Sequence, residues 1–311
     1  MNNRKLAIIG AAVLVIICCV LAAGCTAEDS TYQPARVYDL ENHAYTSEFM
    51  DYLQTRTDCP YIIGNTFYYR DGMTMDYSAF PSFNNGSGNV EQELLDLGEG
   101  RVATMDTVGI TTALVSPSEG IEELDKENAV KYARQMNDAV AEAAKKYPGR
   151  ILGTITLPTP YVEESIAELE RCVNELDLQY WHTHSNYGGE TLADEKFEPL
   201  LAKCAELNVP IYLHPAYPSN EYLLESGLAI ASAGFGFSVD SMKTLLELIS
   251  GGTFDRYPNL QMIIGHIGEY FPYALERMDN RFTALKSQDP TVKCTENISY
   301  YFKNGNIFMT T

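Results

Sequence analysis

The chain has 311 residues, 42 of them acidic and 22 basic, a formal charge of −20 at pH 7. Such a surface repels phosphate backbones and anionic headgroups, which excludes nucleic-acid binding and leaves membrane attachment to an anchor. Apolar residues make up 45 % and charged ones 21 %, a globular balance with enough length for one large core.

The N-terminus carries an anchor signal. Arg4 and Lys5 precede an almost wholly apolar run at 6–21, the length of a signal-peptide core and short for a membrane span. It leads into Leu21-Ala22-Ala23-Gly24-Cys25 and then polar residues, a pattern that resembles a bacterial or archaeal lipobox. Residues 1–24 are therefore expected to be a lipoprotein-type signal peptide, Cys25 the lipidation site and 25–34 a polar tether. An uncleaved anchor helix is the alternative. Either places the domain at 35–311 outside the cytoplasm, on the outer side of the membrane. Of the remaining cysteines, Cys172 and Cys204 sit on apolar helix faces and are expected in the core. No CxxC spacing exists, and no disulfide framework is expected.

Strand-like and helix-like segments then alternate. Residues 36–40 read as a strand that runs into Glu41-Asn42-His43. A Tyr-, Gly- and Asn-rich stretch at 44–89 reads as one long insertion, a candidate lid, with Asn84-Asn85-Gly86-Ser87-Gly88 as a loop. Helices are expected at about 90–106, 126–147, 162–176, 197–207, 239–249 and 272–282. Strands are expected at 111–115, 151–157, 178–183, 209–213, 261–264 and from 306. Alternation at this spacing indicates parallel βα units, with seven strands, against the eight of a closed barrel. A doubly wound open sheet is the rival.

The five histidines decide between them. His43, His182, His184, His214 and His266 each fall at or just past the C-terminal end of an expected strand. In a barrel those ends meet at one mouth, and imidazoles converging with a carboxylate form a divalent metal site. His182 and His184 share one strand and are assigned to opposite faces, so only one is expected to reach the mouth. Trp181, the only tryptophan, is expected to pack between barrel and helices.

Glu41-Asn42-His43 resembles the first-strand metal motif of the amidohydrolase superfamily, in the Glu-x-His form of its aromatic-acid decarboxylases. His214-Pro215 is similar to the third protein ligand of that group. Gly265-His266-Ile267-Gly268-Glu269, with Pro272 and Arg277, is similar to its strand-six signature. Gly100-Arg101-Val102-Ala103-Thr104-Met105-Asp106, Tyr147-Pro148-Gly149-Arg150 and the stretch from Gly251-Gly252 to Tyr257-Pro258 match as well. The chain is thereby identified as a member of the amidohydrolase-related group, which includes γ-resorcylate and aminocarboxymuconate-semialdehyde decarboxylases. The resemblance implies a (β/α)8 TIM barrel of metal-dependent hydrolase type.

It also implies one divalent ion, Zn²⁺ or Mn²⁺, held by Glu41, His43 and His214. The carboxylate makes the set harder and favours Mn²⁺. His266 is placed for acid–base work or for binding the charged substrate. Glu269 either orients His266 or merely favours a helix start. His184, beside Ser185, Asn186 and Gly188, is expected to contact substrate, and His182 to be structural. The leading expectation is non-oxidative decarboxylation of a small hydroxylated aromatic or unsaturated acid. A metal-dependent amide or lactone hydrolase is the second reading, and a non-catalytic surface lipoprotein that binds small acids is the third. Members are often dimers or tetramers, so a homo-oligomer is an expected state. The group's last ligand, an Asp ending strand eight, has no counterpart before Thr311. The chain is accordingly expected to be a truncated form, with weak or no turnover by residues 1–311 alone.

Overall fold

The computed structural model describes residues 36–70, 72–77 and 90–311. The expected signal segment, Cys25, the expected tether and the expected loop from Asn84 to Gly88 lie outside them. Among the described residues no helix is long and apolar enough to cross a membrane.

The chain enters through β1 (Tyr38–His43) and, after an inserted region, continues into β5 (Thr112–Ser116), which pairs with it in parallel. Then come β6 (Ile151–Gly153), β7 (Trp181–His184), β8 (Ile211–His214), β9 (Met262–Ile264) and β10 (Ile307–Met309). All seven are parallel. They neighbour one another in chain order as β1-β5-β6 and β7-β8-β9-β10, and an isolated parallel bridge from Ile155 to Trp181 joins the two runs. Every residue of β5, β7 and β8 is buried, as expected where helices cover one face and a barrel interior the other. Seven parallel strands neighbouring one another in chain order follow the (β/α)8 barrel pattern, not the crossover order of a doubly wound sheet.

The covering helices follow from their sequence. The helix at Lys126–Lys146 buries Ala129, Ala133, Met136 and Val140 at helical spacing. Asp125 caps it by accepting from the Asn128 amide, and Lys145 and Lys146 end it favourably for the dipole. It packs so closely on β6 that a β-carbon at Gly153 would lie 2.7 Å from Val140. Cys172 and Cys204 are fully buried in the next two helices, and Trp181 is buried as well.

Two expectations need correction. The stretch at 44–89 is not a single loop. It contains helix α1 (Ser47–Thr55), capped by Thr46, and an antiparallel sheet of β2 (Tyr61–Ile63), β3 (Thr66–Arg70) and β4 (Met73–Asp76). The tyrosines and Phe67 that look like loop composition are good strand formers; Phe67 and Tyr69 alternate inward along β3. The helix expected over 90–106 is two helices, α2 (Val90–Leu95) and α3 (Glu99–Val108). The Asp96 side chain accepts the Gly98 amide at 2.7 Å, which diverts the backbone out of the helical ladder.

Candidate metal centre

Glu41 and His43 lie two residues apart on β1, so their side chains share the inward face. A register shift between Asp39 and Asn42 opens the strand there, a common device for re-aiming side chains beside a site. Arg101 of α3 fixes the strand end. Its guanidinium donates to the Asn42 side chain, to the His43 carbonyl at 2.9 Å and to the Glu93 carbonyl at 2.9 Å.

His214 ends β8. Its Nδ1 lies 2.7 Å from the Pro215 carbonyl, which can only accept, so Nδ1 carries the proton. Burial holds the His214 pKa below its ordinary value and so keeps the ring neutral. Its Nε2 then presents a lone pair to Glu41 Oε1 at 3.3 Å. Two acceptors face each other with no proton between them. His43 adds a third donor atom, Nε2, 3.9 Å from the same oxygen. Burial pushes the His43 pKa down to about 3, so this ring is also neutral. One carboxylate oxygen and two imidazole nitrogens within 4.8 Å of one another form a cradle able to hold a divalent cation.

The other carboxylate oxygen, Oε2, accepts from Tyr212 Oη at 2.5 Å. Tyr212 stands two residues before His214 on β8 and therefore points the same way. Burial would raise the Glu41 pKa, but the surrounding imidazoles outweigh it and hold the carboxyl well below the usual range.

His266 follows β9. Its Nε2–H donates to Glu41 Oε1 at 2.7 Å and its Nδ1–H to Glu269 Oε1 at 2.8 Å. Carboxylates accept on both sides, Glu269 foremost, and the His266 pKa rises to about 10. The pairing requires a tight fold-back. His266, Ile267, Gly268 and Glu269 all have positive φ, at 48°, 59°, 71° and 52°. Left-handed backbone at three non-glycine residues is strained, and such strain collects at functional sites.

His182 and His184 do not take opposite faces. Residues i and i+2 of a strand share a face, and the two rings lie 5.4 Å apart. His182 stacks on Tyr212 and lies 5.2 Å from His214; His184 lies 5.5 Å from His214. All five imidazoles thus form one cluster. His184 Nδ1 meets Glu122 Oε1 at 3.0 Å. Burial lowers the His184 pKa, but Glu122, with Glu119 and Glu123, more than offsets this and brings it up to about 9.

Sequence reading did not single out Tyr212, Glu119, Glu122, Glu123 or Arg70. Glu119 is buried on the loop after β5, with Oε1 accepting the Tyr217 amide at 3.2 Å. Burial, with Glu123 next, pushes its pKa up to about 8. Arg70 of β3 donates to Asn186 Oδ1 at 3.1 Å, and Tyr217 Oη donates to the Thr74 carbonyl at 3.1 Å. These two bonds tie the inserted sheet to the barrel mouth. Tyr212 was findable, because it has the strand parity of His214. The glutamates carried no signal beyond their place after a strand end.

Strand ends that gather a carboxylate and imidazoles at the mouth of a parallel barrel define a metal-binding barrel protein. The sequence model of the Amidohydrolase family matches residues 95–292, and the chain belongs to that family. The γ-resorcylate decarboxylase of Polaromonas sp. (strain JS666) is 32 % identical over 232 residues, 71 % of either chain. The crystal structure of a 5-carboxyvanillate decarboxylase from Novosphingobium aromaticivorans, with bound manganese and a nitrobenzoic acid, superposes with a TM-score of 0.75. It is 30 % identical, over 90 % of this chain and 80 % of that one. A 2,6-dihydroxybenzoate decarboxylase in complex with 2,6-dihydroxybenzoate gives 0.71 at 26 % identity, over 89 % and 80 %.

Proposed function

We infer that the protein is a metal-dependent carboxy-lyase that removes carbon dioxide, without oxidation, from a small hydroxylated aromatic or unsaturated acid. The carrying observation is the Glu41–His43–His214 cradle beside the His266–Glu269 pair at one barrel mouth. The decarboxylases among its relatives support the same reading.

Glu41, His43 and His214 would hold the ion, and the hard carboxylate oxygen favours Mn²⁺ over Zn²⁺. When bound, the ion supplies positive charge that holds the substrate carboxylate and an adjacent hydroxyl. His266 carries a proton on Nε2 and is the acid of this proposal. The proton passes to the ring carbon that bears the carboxylate. A C–H bond forms there, the C–C bond to the carboxylate breaks, and its electron pair restores the aromatic ring as carbon dioxide leaves. Glu269 orients His266 and keeps it protonated. His184 contacts the substrate.

Product analysis with 2,6-dihydroxybenzoate, after chelation and Mn²⁺ reloading, tests this reading. Metal-dependent carbon dioxide release is expected. Ring opening or amine release from alternative substrates would indicate a hydrolase, and binding without turnover a binding protein. For location we propose an exported lipoprotein, supported by Arg4, Lys5, the apolar run and Cys25. Cys25→Ser should move the protein from the membrane to the soluble fraction; retention in the membrane would refute lipidation.

A further inference from the structure

Outside the cradle, five side chains at the mouth keep buried polar atoms with no hydrogen-bond partner among the described residues. They are His182 Nε2, His184 Nε2, Glu122 Oε2, Glu119 Oε2 and Arg70 Nη2. The last of these approaches only Glu123, at 3.8 Å. Buried polar atoms in folded proteins are nearly always bonded, and a group of exceptions on one wall of a mouth marks where a ligand completes the bonding.

His184 is the centre of that wall. It shares the inward face of β7 with His182, its ring stands edge-on to His214 of the cradle, and its side chain is 2 % exposed. Glu122, equally buried, accepts from Nδ1 at 3.0 Å. A carboxylate can only accept, so this bond places the proton on Nδ1 and locks the ring plane. Nε2 then points away from Glu122 and is left open. The wall is one imidazole away from the cradle, with the His184 ring centroid 5.5 Å from that of His214.

We propose that Glu122 is a positioning residue that fixes His184 so that its Nε2 binds a second ring hydroxyl of the substrate, making the pair the determinant of specificity for dihydroxylated acids. The proposal rests on the carboxy-lyase reading. It assigns the metal end to the carboxylate and its neighbouring hydroxyl, and the His184–Glu122 end to the remaining oxygen substituent.

The test compares dissociation constants, by Trp181 fluorescence or calorimetry, for 2-hydroxybenzoate and the four 2,x-dihydroxybenzoates on the Zn²⁺-loaded full chain. Glu122→Gln should weaken the preferred dihydroxybenzoate about tenfold and leave 2-hydroxybenzoate unchanged. His184→Asn should do the same, and the double variant should be no weaker than His184→Asn alone. A second measurement does not depend on how Glu122→Gln folds. In ¹⁵N-histidine spectra of the wild type, the His184 Nε2 resonance, assigned by its loss in His184→Asn, should shift with the dihydroxybenzoate and not with 2-hydroxybenzoate. Equal weakening of every ligand, additive losses, or a silent Nε2 resonance would overturn the proposal alone. A wild type that binds none of the five acids would overturn the carboxy-lyase reading, and this inference with it.

Discussion

Gly265 separates the two halves of the metal centre, and replacing it by alanine tests the cradle with a single methyl group. Its φ is −72°, which any residue tolerates, so the backbone does not resist the change. A β-carbon there would lie 2.5 Å from Tyr212 Oη and 2.7 Å from Glu41 Oε2. Those two atoms already bond each other at 2.5 Å, so neither can yield without breaking the bond that orients the carboxylate. Overpacking of this kind costs about 1–3 kcal/mol. Loss of a bond that orients a metal ligand typically costs about 10–100-fold in metal affinity.

Titration of the metal-free protein with Mn²⁺ against a competing chelator measures the affinity directly. Thermal melts with and without metal give an independent value, because a 100-fold weaker site loses about 2.7 kcal/mol of metal-linked stabilisation at saturating metal. Gly149→Ala is the control. Gly149 has φ +74° and open space around its β-carbon, so alanine strains the backbone far from the cradle and should lower Tm without changing Mn²⁺ affinity. If Gly265→Ala binds Mn²⁺ as tightly as the wild type, Glu41 is not a ligand and the assignment of the cradle fails.

Tyr212→Phe removes the donor to Glu41 without adding bulk, and should weaken Mn²⁺ about 10-fold or more with little change in Tm, by the same competition assay; unchanged affinity would make that hydrogen bond incidental. Glu119→Gln should stabilise the protein at alkaline pH. The Glu119 pKa is raised from 4.5 to about 8, so the native state binds the extra proton between those values and the wild type loses stability as pH rises, at up to about 1.4 kcal/mol per pH unit. Glutamine imitates the protonated acid, so denaturant melts of variant and wild type should coincide below pH 4.5 and separate up to about pH 8; a constant difference would refute the shift.

The barrel and its metal end were legible because both follow from strand geometry. A histidine at the end of a strand needs no long-range information to be placed at the mouth, and Glu41 and His43 two residues apart must share a face. The same rule, applied correctly, would have put His182 beside His184 and drawn Tyr212 in with His214. The inserted region was less legible for a physical reason. Helix α1 has nine residues and strands β2–β4 three to five each, lengths at which periodicity barely rises above the Asn and Gly around them. The buried glutamates were not legible at all. In a chain with 42 acidic residues nothing local distinguishes Glu119 and Glu122 from surface carboxylates, and only the tertiary approach of groups such as His184 makes their burial tolerable.

The two ends of the mouth are therefore built by different means. The cradle stands on β1 and β8, with His266 just after β9, and its geometry is set by the barrel's hydrogen-bonded register. The other wall takes only His184 from a barrel strand, β7; the rest depends on the loop after β5, on the loop after β7 that Arg70 grips through Asn186, and on the sheet that Tyr217 fastens at Thr74. Loops and insertions accept substitution more readily than barrel strands do. Changes in Glu122 or Arg70 should alter which acid is bound while metal affinity stays constant. Changes in Glu41, Tyr212 or Gly265 should weaken metal binding and with it the binding of every substrate alike. That separation lets one barrel keep its metal chemistry while the range of acids it accepts drifts.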